Sequence, residues 1–188
     1  FRRSSIPYNI VGGIRFYERK EIKDIIGYLS LIINTKDTIS LRRVVNFPPR
    51  GIGLKTVDKC FEKAEKRKME LLDVLNEPDD MGIRGKQAEA LRRFYGTIMK
   101  YNELLPKLNA GELVRTLLED IGIKNHYSKN RTPDDNERYE NVLEFLRGVD
   151  EFMLRNPDCG LRDFLEEISL LTDLDNWNDQ SNRVTLMN

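Results

Sequence analysis

The sequence predicts a mainly α-helical fold with a short β-strand at each terminus. Two observations carry that prediction. Most of the chain repeats apolar residues at helical spacing, whereas "IPYNIVGGIRFY" near the start and "RVTLM" at the end are β-branched and lack that period.

Residues 6–17 alternate around the Gly12-Gly13 turn and read as a strand followed by a short extended piece. In "ERKEIKDIIGYLSLIIN" the residues Ile22, Ile25, Ile26, Leu29, Ile32 and Ile33 share one helical face. Asp37 or Thr38 is a good N-cap for a second helix through Leu41, Val44 and Val45, which Pro48-Pro49 should end by removing two backbone donors. The same spacing then recurs at Val57, Cys60, Phe61 and Ala64, and again at Leu91, Phe94, Tyr95, Ile98 and Met99. Further stripes follow at Leu117, Leu118 and Ile121, from Val142 through Met153, and from Leu161 through Ile168. Residues 130–137 read as a loop entering a helix, and 172–183 as a flexible acidic connector. A lone strand cannot satisfy its own backbone donors and acceptors, so either the two ends pair with each other or both belong to a sheet outside these residues. The layout is that of an inserted helical body.

With 188 residues, 33% charged and 39% hydrophobic, the composition is that of a globular protein able to bury a core without metals or disulfides. Cys60 and Cys159 show no ligand-like spacing, and no apolar run approaches a membrane span, so a reduced, cytoplasmic setting without a membrane is expected. The zero net charge hides an asymmetry: residues 1–68 hold 16 Lys and Arg against 7 Asp and Glu, and the remainder 15 against 24. A basic front half suits a polyanion, although segregated solvated helix faces would give the same contrast.

No phosphate-loop, nucleophile-elbow, zinc-protease or C-x-x-C pattern is present. His126 has no second histidine or cysteine nearby and reads as a surface or helix-end residue. The acidic run around Trp177 fails as a calcium loop, since Trp177, Asn178 and Val184 occupy required ligand or turn positions. Arg15, Arg19 and Lys20 would face a polyanion only if they project together. The chemistry-bearing stretch is "PPRGIGLKT". There Gly51 and Gly53 can take positive φ and bare their amides, Ile52 can plug the turn into the core, and the next helix start adds unpaired N–H groups. With Arg50, Lys55 and Lys59 beside it, such a corner forms a concave anion site of the kind that grips a DNA backbone by shape and charge. A tight turn whose glycines serve geometry alone fits the same letters.

Read end to end, the chain resembles the UvrD/PcrA/Rep family of superfamily 1 DNA helicases. Residues 6–34 resemble the strand, Gly-Gly turn and helix of subdomain 2A, "DTISLRRVVNFPPRGIGLKT" the start of the inserted 2B subdomain, "RYENVLEFL" a later 2B segment, and "RVTLM" the strand returning to the RecA-like 2A sheet. The resemblance implies 2A over 1–36, 2B over 37–180 and the return strand over 181–188. It also implies contact with double-stranded DNA through Gly51, Ile52 and Gly53, flanked by Arg50, Lys55 and Thr56. The parent would be an ATP- and Mg-dependent helicase of DNA repair or replication, whose ATP-site motifs lie outside these residues, so no cofactor and no activity are expected of this piece alone. The rest of the motor and repair or transcription proteins are the implied protein partners. The rival expectation is a protein-interaction or autoinhibitory module in which the acidic half and Trp177 dock a partner without touching DNA.

Overall fold

One apolar helix organises the chain. In the computed structural model, which describes residues 8–10, 16–129, 132–177 and 184–186, the helices are α1 (Lys20–Ile33), α2 (Thr38–Val44), α3 (Leu54–Arg67), α4 (Leu71–Val74), α5 (Gly85–Leu104), α6 (Ala110–Asp120), α7 (Ile123–Ser128), α8 (Pro133–Arg155) and α9 (Leu161–Trp177). α1 turns Ile22, Ile25, Leu29 and Ile32 fully inward, because residues three and four apart share a helix face. It packs against α2, α5, α8 and α9. The fold is therefore mainly α, and no helix among the described residues is long and apolar enough to cross a membrane. Three-residue strands β1 (Tyr8–Ile10) and β2 (Val184–Leu186) pair in parallel, with Tyr8 opposite Val184 and Ile10 opposite Leu186.

Polar contacts pin the helices around α1. Gly27 lets α2 approach so closely that a Cβ there would stand 2.9 Å from Val44 Cγ1. Buried Asp24 is held by Lys20 at 2.9 Å and by Arg43 of α2 at 2.8 Å. Buried Glu21 accepts from Asn141 Nδ2 of α8 at 2.6 Å, and Asn141 in turn accepts from Arg19. Asn102 of α5 donates to the Ile32 carbonyl at 2.8 Å and so meets an orphan carbonyl at the end of α1.

Farther out, Lys63 of α3 is buried but paired with Glu77 at 3.1 Å and Asp80 at 3.3 Å, as a buried ammonium requires. Asp37, Asn109 and Thr132 cap α2, α6 and α8 through their side chains.

α2 ends at Val44 because Pro48 and Pro49 have no N–H to offer the Val44 and Val45 carbonyls; the Val44 carbonyl accepts the Phe47 N–H at 2.9 Å instead. Several other local expectations need correction. Residues 16–17 are not extended. Phe16–Glu18 is a 3₁₀ turn closed by Arg19 N–H to the Phe16 carbonyl at 3.2 Å. The span 172–177 is helical, because α9 meets neither glycine nor proline before Trp177. Arg19 and Lys20 do not present a free basic face: one donates to Asn141 and the other pairs with Asp24. The Gly12-Gly13 turn, Arg15, the loop residues 130–131 and the connector residues 178–183 lie outside the described residues.

Candidate nucleic-acid interface

Between α2 and α3 the chain makes a corner built from its own polar side chains. Asn46 Oδ1 accepts the Arg50 N–H at 2.8 Å and the Ile52 N–H at 3.1 Å. Gly51 takes φ +76°, the left-handed region that favours glycine. Ile52, only 2% exposed, drops into the core between two exposed glycines, and the Gly51 carbonyl accepts Gln87 Nε2 of α5 at 3.0 Å. Gly53 departs from the expectation. Its φ of −77° and ψ of 162° are ordinary extended values, and a Cβ there would meet nothing within 4 Å. What glycine contributes at 53 is therefore openness around the amide.

Arg50 holds the corner from beneath. Its Nη1 donates to the carbonyls of Phe47 and, at 3.2 Å, Pro48, and its Nη2 donates to Tyr28 Oη at 2.6 Å. The guanidinium also lies 5.5 Å from the Phe94 ring centroid. Tyr28, wholly buried, donates its hydroxyl to the Phe47 carbonyl. Burial pushes its phenol up to about 12 against the opposing pull of Arg50, so the donor proton stays in place across the physiological range. Nearby, His126 of α7 sits edge-on to Phe47 at 5.4 Å, and burial pushes its imidazole below the usual histidine range.

Of the residues the sequence singles out, Gly51, Gly53 and Lys55 are exposed at the outer rim, whereas Ile52 and Thr56 are buried and Arg50 is engaged by carbonyls. Thr56 and Val57 send their N–H groups to the Gly53 carbonyl, at 2.9 and 3.2 Å. Among the described residues the N–H groups of Gly51, Gly53, Leu54 and Lys55 have no protein partner. α3 has neither a side-chain N-cap nor an acidic residue in its first turn, so its positive end stays uncompensated. Lys55 and Lys59, both exposed, enter none of the ion pairs among the described residues. The rim can therefore accept an anion on backbone amides, with Lys55 in the same turn and Lys59 one turn further along α3.

The family described as "UvrD-like helicase C-terminal domain" matches residues 1–188, the whole chain. The chain belongs to this family. The UvrD-like chain is 35% identical over 189 residues to the "ATP-dependent DNA helicase PcrA" of Staphylococcus aureus (strain NCTC 8325 / PS 47), and equally to the protein of that name from Staphylococcus epidermidis (strain ATCC 12228 / FDA PCI 1200). Each match covers 100% of this chain and 26% of the relative, so the UvrD-like chain spans about a quarter of the length of these curated relatives.

Three residues that shape the UvrD-like corner escape sequence reasoning: Tyr28, Asn46 and Gln87. Tyr28 lies beside the α1 stripe, and nothing local marks the partners of its hydroxyl. Asn46 carried a partial signal, since Asn side chains in turns accept from nearby backbone amides, although its partners here lie four and six residues on. Gln87 acts across 36 residues of sequence, a distance no local pattern encodes.

Proposed function

We propose that this chain is the 2B subdomain, with edges of 2A, of an ATP-dependent DNA helicase, and that it holds double-stranded DNA by the backbone while gating the motor. Residues 37–180 are assigned to 2B, and 1–36 and 181–188 to 2A. The parallel pairing of β1 with β2 supports the latter assignment. A two-stranded parallel ladder is too small to stand alone and suits the edge of a larger sheet. ATP and Mg belong to other parts of the parent, as do the steps of unwinding.

The observation that carries this reading is the row of exposed residues Gly51, Gly53, Leu54 and Lys55, whose amides have no partner among the described residues, at the open head of a 14-residue helix. A helix end on an exposed site contributes only about 0.3–1 kcal/mol, so Lys55 and Lys59 supply the charge that retains a phosphate. In this scheme Gly51, Gly53 and Lys55 meet the phosphates, while Arg50, Ile52 and Thr56 build the corner that presents them. Contacts of this kind read shape and charge and carry no base sequence.

Binding by the chain alone should be weak, with Kd on the order of 10⁻⁴–10⁻⁶ M, and should fall with salt at a log–log slope of about −0.9 per phosphate neutralised. Titration of duplex with the Gly53→Val, Lys55→Ala double variant tests the site. Weaker binding with unchanged helical circular dichroism supports it; binding equal to the parent chain removes it.

A further inference from the structure

We infer that Asn46 is the positioning residue of the phosphate-binding corner, its side-chain carbonyl selecting which backbone amides face the duplex. This rests on the reading of the corner given above.

One oxygen, Asn46 Oδ1, takes two amides at 2.8 and 3.1 Å, those of Arg50 and Ile52. An amide oxygen has two lone pairs, so this acceptor is saturated by the corner itself. The two captured N–H groups alternate with those of Gly51 and Gly53, which have no partner among the described residues. Capture of Ile52 also agrees with the burial of its side chain, so the residue between the glycines is fixed by both its main chain and its side chain. Asn46 itself is exposed. Its removal opens no cavity, and what it holds is the orientation of a surface segment.

The choice of amide over carboxylate follows from the ligand. At the head of α2 the chain uses Asp37, whose carboxylate accepts from Ile39 and Ser40 at 3.1 and 3.0 Å. A carboxylate at 46 would hold the same two amides and repel the phosphate they help to present. A neutral acceptor gives the geometry without the repulsion.

Duplex titration across a salt series with Asn46→Ala and Asn46→Asp tests the inference, together with amide hydrogen exchange of the parent chain. Asn46→Ala removes the acceptor but no charge. It should bind about tenfold more weakly at every salt concentration, on a line parallel to that of the parent. Asn46→Asp should keep the Ile52 amide protected, bind more weakly at low salt, and approach the parent as salt screens the added charge. In the parent, the Ile52 amide should exchange more slowly than that of Gly53, a comparison that needs no variant to fold.

Asn46→Ala binding duplex as well as the parent overturns the inference, as does equal exchange at Ile52 and Gly53. If either result accompanies lost binding by the Gly53→Val, Lys55→Ala double variant, the corner survives as the DNA site and only the role of Asn46 falls. A parent chain with no salt-sensitive duplex binding overturns both.

Discussion

The Tyr28 hydroxyl accepts a hydrogen bond from Arg50 Nη2 at 2.6 Å, joining the middle of α1 to the corner 22 residues later. The same hydroxyl donates to the Phe47 carbonyl, and Arg50 Nη1 donates to that carbonyl too. The corner that carries the exposed Gly51, Gly53 and Lys55 is thereby tied directly to α1, whose inner face is fully buried.

Loss of that hydroxyl should loosen the corner without dissolving the core. Tyr28→Phe keeps the ring against Phe94, 6.1 Å away, but leaves Arg50 Nη2 without its Tyr28 partner. Urea unfolding should show a loss of about 1–3 kcal/mol. A variant as stable as the parent would mean that the hydroxyl does not hold the corner.

His126 gives the chain a pH dependence near neutrality. Burial lowers its pKa, so as pH falls the unfolded chain takes up the proton before the folded one does. Its contribution is therefore complete above the ordinary histidine value of about 6.5 and is lost as pH falls through the folded value. Asp80, held down by hydrogen bonds from Arg67 and Lys63, and Asp120, held down by Lys100 and Tyr101, act in the same direction but only in the carboxylate range. Urea midpoints should be lower at pH about 5.5 than at about 7.5. In His126→Phe, which keeps an aromatic ring against Phe47, that gap should narrow; an unchanged gap would assign it to other groups.

The helices were legible because their physical cause is local. Apolar spacing marks α1, α3, α5, α8 and α9, and Asp37 marks the start of α2. Pro48 and Pro49 likewise mark the end of α2. What sequence could not give were contacts decided by distant partners: the Phe47 carbonyl accepts from Tyr28 and Arg50, and Lys63 is buried because Glu77 and Asp80 come round to meet it.

At the candidate site, the Gly-Ile-Gly pattern located the corner and the inward plug of Ile52. It allowed positive φ at both glycines, and only Gly51 takes it. It also read Arg50 as a cation for the ligand, whereas the guanidinium is surrounded by carbonyls. A charged side chain in a sequence does not disclose which neighbour will claim it.

Gly53 offers the most direct measurement, because its backbone angles suit any residue and a Cβ there touches nothing in the protein. For Gly53→Ala, the gain from a less flexible unfolded chain and the poorer N-cap nearly offset each other, so stability should stay within about 1 kcal/mol of the parent. Duplex affinity is the deciding quantity: a methyl group standing before the open amides should weaken it about tenfold, the equivalent of one charge-assisted hydrogen bond. Equal affinity in parent and Gly53→Ala would contradict the account, since no phosphate could then be approaching that amide.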